Sequence, residues 1–328
     1  MTQSVNHPRA VETPSRVNYN QSVSKAILAL ICAPLMMGAA CEKKHSKTDP
    51  GAANAIENTG SGGSSGVAVQ EGPLDTTPLP GIDVSKLGDK TNTFYKLVGS
   101  LQSPCGKTES LRLSFTKDTS CKRAPFAVRY VMALLEDEAT EAQAKEEYEN
   151  KYQSKDPKVT LDISKAPHEG ATDAPVRFVE FFDYGCPHCA AFKPMMDQVL
   201  ADEQGKVVTY FLMFPLEKHP DSKSAAQAAY AANAQGKFKE MHSLLFEKAP
   251  EQNHAQVTDM AKSLGLDMTK FEADYNTFAP QVLADLKQGE TAGVDSTPTL
   301  FFNDHKYEGP IHPKYIEMWI EEELAVNR

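Results

Sequence analysis

The feature that most restricts this chain is Cys186-Pro187-His188-Cys189, placed where the apolar run Val176–Phe182 gives way to a helix-forming stretch. A strand running into a helix leaves Cys186 at a helix N-terminus. Unsatisfied N–H groups and about half a positive elementary charge there favour a thiolate over a thiol. A protonatable His188 in the same turn acts in the same direction. Because the thiolate exists only in the reduced pair, such a setting makes the oxidised pair a stronger electron acceptor. A zinc site needs about four ligands, and no second C-x-x-C or H-x3-5-H partner accompanies this pair. Haem attachment calls for His after the second cysteine, where Ala190 stands. A two-residue spacing closes too small a loop for a purely structural bridge to stabilise much.

The surrounding pattern sets the fold class. Val159–Ile163, Val176–Phe182 and Val207–Phe214 read as strands, Thr299–Phe302 and His305–Glu308 as a hairpin around Asn303-Asp304, and Tyr315–Leu324 as a closing helix. Almost everything between Pro220 and Gly289 reads as helical, with Ala225–Ala234 strongest by propensity. Strands alternating with helices predict an α/β architecture, and a C-x-x-C in that context is a thioredoxin-like redox motif.

Over residues 159–328 the chain resembles the DsbA-like branch of the thioredoxin superfamily. The resemblance rests on Val179-Glu180-Phe181-Phe182, Cys186-Pro187-His188-Cys189, the helical stretch after them and Thr297-Pro298. It implies a thioredoxin-like fold over 156–328 with a helical insertion at about 220–290. It also implies roles. Cys186 is the exposed sulfur that forms a mixed disulfide with a client, and Cys189, one turn further in, resolves it. His188 stabilises the Cys186 thiolate, and Pro187-His188 is the dipeptide of the oxidising members. Glu180 is a buried acid that assists proton transfer at the inner cysteine. Pro298 is a cis-proline facing the redox pair and offering extended backbone to a peptide, proline being the residue with a low cis penalty. Thr297 stands where the best-known DsbA has Val, and Thr occurs there in isomerase-type relatives. Oxidase and isomerase or reductase therefore both stay open, beside a peptide-binding, chaperone-like module that does not use its thiols.

The N-terminal half adds a destination. Ala26–Ala40 is an apolar run behind Arg9, Arg16 and Lys25, the layout of a secretory signal peptide over 1–40. It is shorter than the roughly 20 apolar residues of a membrane span and is interrupted by Pro34. Cys41 after Gly38-Ala39-Ala40 resembles a bacterial lipobox, with Gly38 where Leu is usual, which implies lipidation at Cys41. Residues 41–90 are rich in Gly, Ser and Pro and predict a flexible tether. Residues 91–155 predict a small helical region, with Phe94, Leu97, Val98 and Leu101 on one face. Its acidic end predicts a solvated helix carrying Glu141–Lys145 and Glu147–Lys151 pairs. Cys105 and Cys121 read as a structural disulfide, with a second redox pair as the alternative.

With 34 Lys and Arg against 44 Asp and Glu, the net charge of −10 offers no footprint for nucleic acid. The expected setting is the periplasmic side of a bacterial cell envelope, with a lipid anchor in a membrane. Folding exported proteins are the expected partners, and the family resemblance adds a membrane redox partner that reoxidises the pair. No metal or organic cofactor is required.

Overall fold

The computed structural model describes residues 73–154 and 158–326. The signal peptide over 1–40, lipidation at Cys41 and the greater part of the tether lie outside the described residues.

The first layer is helical: α1 Thr91–Ser100, α2 Leu111–Thr116, α3 Ala124–Glu136 and α4 Glu141–Tyr152. Phe94, Leu97 and Val98 of α1 are buried, as the spacing predicts. The tether does not extend to residue 90. Leu79 and Leu87 are buried in this core, and the Arg112 guanidinium donates to the carbonyls of Thr77 (2.9 Å) and Asp75 (2.6 Å). Two leucines supply the apolar side chains for that burial. Cys105 and Cys121 form a disulfide, with Cα atoms 5.8 Å apart, bracketing α2.

The acidic end behaves differently from the expectation. Thr140 and Gln143 form a capping box that starts α4 afresh, and Glu138, at φ 66°, breaks the chain direction before it. Neither expected intrahelical pair forms. Lys96 pairs with Glu141 at 2.8 Å, and Lys151 with Glu322 at 3.0 Å. Ala144 and Tyr148 are buried, so the inner face of α4 is packed rather than solvated.

The second layer is a five-stranded sheet in the order β1-β3-β2-β4-β5, made of β1 His168–Glu169, β2 Val176–Phe182, β3 Val207–Met213, β4 Thr299–Phe302 and β5 His305–Lys306. β2 runs parallel to β3 and antiparallel to β4. Val159–Ile163 is not a strand. Its residues Val159, Leu161 and Ile163 are half-buried against Phe181, Leu212 and Phe301, while its amides turn to Asp304 O and the Gln288 side chain. The sheet's edge position goes instead to His168–Glu169, paired with Tyr210 and Thr209. Apolar content marked the segment for burial, and backbone pairing went elsewhere.

Helix α5, Pro187–Asp202, follows β2. Helices α6 Ser222–Asn233, α7 Phe238–Lys248, α8 His254–Ser263, α9 Met268–Thr277 and α10 Ala279–Thr291 are the insertion between β3 and β4, and α11, Pro313–Val326, closes the chain. β2 is buried on both faces, which is why it reads as continuously apolar instead of alternating. Among the described residues no helix is long and apolar enough to cross a membrane.

Candidate active site

The site is built by register. Phe181 of β2 lies opposite Thr299 of β4, so the residues leaving the C-terminal end of β2 meet those entering β4. On one side this places Asp183-Tyr184-Gly185-Cys186, and on the other Ser296-Thr297-Pro298. The Thr297–Pro298 peptide bond is cis, and the Cys186 Sγ donates to the Thr297 carbonyl oxygen at 3.4 Å. Cys186, Cys189, Thr297 and Pro298 are thus gathered at one point from positions more than a hundred residues apart.

Cys186 is the N-cap of α5, with Pro187 in the first turn. Both Cys186 and Cys189 are free thiols. Cys189 is wholly buried, and Cys186 is only 4% exposed, which corrects the expectation of an exposed sulfur. The Thr297 backbone lies across it. Its open edge faces a groove lined by His188, Leu216, Lys218, Asp295 and Thr297. Pro187 and His188 are exposed beside it.

Glu180 shares the sheet face of Phe178 and Phe182, beneath α5, and lies opposite Leu300. Burial pushes its carboxyl up to about 8, with Lys193 pulling down and Asp197 pushing up. It is therefore a neutral acid at pH 7. Burial, and next the charge of Glu180, push the Cys189 thiol well above the ordinary range. The site therefore has an inner sulfur that resists ionising and an acid near it that carries a proton.

Asp183, Tyr184 and His242 complete the surroundings. The Asp183 carboxylate is buried and tied to the turn Leu216–His219. The Tyr184 hydroxyl lies 3.0 Å from His242 Nδ1, inside a cage of Phe182, Phe211, Phe238 and Phe246. Burial holds His242 neutral, far below its usual range. The signal that could have found Asp183 is a charged residue directly after the apolar pair Phe181-Phe182 and three residues before Cys186. Nothing in the local pattern marked the groove wall. Among the described residues no cluster of His, Cys, Asp or Glu could hold a metal ion.

A strand-to-helix turn carrying C-P-H-C, faced by a cis-proline just before β4, with a helical insertion between β3 and β4, defines a thioredoxin-fold protein. The thioredoxin family model matches residues 162–322. Disulfide bond formation protein D of Bacillus subtilis (strain 168) is 32% identical over 176 residues, covering 49% of this chain and 78% of that protein. The chain belongs to this family of DsbA-like thiol:disulfide oxidoreductases. The Na(+)/H(+) antiporter NhaA 1 of Mycobacterium sp. (strain KMS) is 36% identical over 155 residues, which is 46% of this chain and 25% of that protein. The chain thus spans about a quarter of the length of such curated relatives. Among solved structures, oxidised BdbD of Bacillus subtilis is 28% identical, with a TM-score of 0.46, covering 52% of this chain and 99% of that one.

Proposed function

We propose that the chain is an exported thiol:disulfide oxidoreductase that donates a Cys186–Cys189 disulfide to thiols of folding envelope proteins. A client thiolate attacks Cys186 Sγ, the Cys186–Cys189 bond breaks, and Cys189 leaves with the bonding electron pair. The client's second thiolate then attacks its own bridged sulfur and releases Cys186. The client is oxidised by two electrons and the pair is reduced by two; the client's two protons pass to solvent as its thiols ionise, one of them restoring Glu180 after it has protonated Cys189, while Cys186 is left as a thiolate. A helix N-terminus under Cys186 supports the charge that develops on it. Glu180, protonated below about pH 8, hands a proton to the departing Cys189. The lipid anchor at Cys41, the envelope location and a membrane partner that reoxidises the pair belong to the same proposal.

The observation that carries this reading is the meeting of a helix-capping Cys186 with the Thr297 carbonyl before the cis-proline. A client peptide in extended form meets the backbone before the cis-proline and the sulfur it attacks at one place. The test is oxidation of a reduced two-cysteine peptide by the oxidised protein. Wild-type protein is expected to oxidise about one equivalent, and Cys186→Ala none. Cys186→Ala with full activity in the cell would instead support a peptide-binding module. Thr297 favours one second reading, an isomerase or reductase kept reduced by an upstream donor. Trapping the thiols in cells decides between them, because an oxidase keeps the pair predominantly oxidised.

A further inference from the structure

Asp183 is the third residue before Cys186 and the first after β2. Its side chain is fully withdrawn from solvent, yet it is a carboxylate facing four donors. Oδ1 accepts from Gly185 N at 2.7 Å and from the Ser222 hydroxyl. Oδ2 accepts from Leu216 N at 2.9 Å and lies 2.6 Å from His219 Nδ1. Its own carbonyl accepts from Cys186 N at 3.0 Å. The donors come from two places. Gly185 and Cys186 belong to the redox turn, whereas Leu216 and His219 belong to the connection between β3 and α6, and Ser222 is the first residue of α6. That connection supplies Leu216, Glu217 and Lys218 to the groove on which Cys186 opens.

The two segments are pressed together at this point. A Cβ on Gly185 would sit 2.8 Å from the His219 Cβ and from the Ser222 Oγ. Only glycine lets the redox turn approach the wall closely enough for one carboxylate to bind both. The turn 216–219 is held by a single internal backbone hydrogen bond, His219 N to Leu216 O at 3.0 Å, and takes its position from Asp183.

We infer that Asp183 is a positioning residue for client recognition: its carboxylate sets the wall Leu216–His219 at a fixed distance from Cys186, so that an extended cysteine-bearing peptide is held while its thiolate attacks. This rests on the oxidoreductase reading and adds to it a determinant of peptide over small-thiol exchange. A small thiol needs only the open edge of the sulfur. A peptide needs the wall as well, and a wall displaced by about an ångström loses the alignment that speeds the reaction.

The test compares two reductants of the oxidised protein, a two-cysteine peptide and reduced glutathione, in wild type, Asp183→Asn and His219→Ala. In Asp183→Asn the peptide KM is expected to rise about tenfold, as for loss of one hydrogen bond to a charged group, with kcat falling less. The ratio of peptide to glutathione rates falls correspondingly. His219→Ala, which leaves three of the four donors, is expected to lower that ratio in the same direction by a smaller factor. It decides the matter if Asp183→Asn does not fold. An unchanged ratio in the folded variants overturns the inference, whether both rates hold or both decline together. Wild-type protein that oxidises neither probe removes the oxidoreductase reading, and this inference with it.

Discussion

Two glutamates divide this molecule between them. Glu180, under the redox pair, and Glu322, on α11, are 6% and 1% exposed. Around Glu180 the two charges that reach it, Lys193 and Asp197, oppose each other, and burial wins, pushing its carboxyl up to about 8. Around Glu322 the helical region delivers three partners: Arg123 at 2.8 Å, Lys151 at 3.0 Å and the Tyr152 hydroxyl at 2.9 Å. Lys151 is itself buried, 3.3 Å above the Trp319 ring, and burial pulls its ammonium down to about 8. The same withdrawal from water thus yields a neutral carboxyl where partners are withheld and an ionic bolt between two layers where they are supplied. Burial alone does not assign a carboxyl its role; the donors around it do.

The sharpest way to break this comparison is Glu322→Gln. It leaves the buried Lys151 facing a neutral group, while Arg123 keeps Glu323 at 3.1 Å, and stability is expected to fall by about 3 kcal/mol in denaturant unfolding. A loss under about 1 kcal/mol would show that the bolt holds nothing. Glu180→Gln is expected to act in the opposite direction on stability. The folded carboxyl titrates at about 8 and its ordinary value is 4.5. The folded state therefore holds a proton that the unfolded chain releases, and stability declines as pH rises from about 4.5 through 8. Replacing the acid removes that decline, a gain of about 4 kcal/mol at pH 8 and nothing near pH 4, while peptide oxidation slows. Equal gains at both pH values would detach the effect from ionisation. The smallest change is expected for Arg129→Ala, which breaks a 2.6 Å pair with Glu321 at the same layer contact but in solvent. It should cost less than about 1 kcal/mol, and a larger loss would mean that position at the contact outweighs burial.

The two cysteine pairs show how far the chain could be read before folding. Cys186 and Cys189 declared their setting locally, because three residues of separation, a strand before and a helix after are all short-range facts. Cys105 and Cys121 are bonded across α2, a pairing within reach of local reading as well. Val159–Ile163 is apolar yet not a strand, because apolar composition reports burial, whereas a ladder depends on which distant backbone arrives to pair. The acidic stretch follows the same rule: Lys151 has a glutamate four residues earlier in sequence, but its partner is Glu322, 171 positions later.

What the linear order of residues settled is the chemistry on offer: a thiol pair at a helix start, an acid in an apolar strand, and a proline preceded by Thr297. These depend on neighbours within a turn or a strand, where sterics and hydrogen bonding are local. What only the folded chain decided is who meets whom. β2 and β4 lie side by side, so a carbonyl 111 residues away covers Cys186, and Asp183 reaches across to hold the groove wall. Such meetings follow from the burial of many apolar faces at once, a sum over the whole chain that no single segment carries.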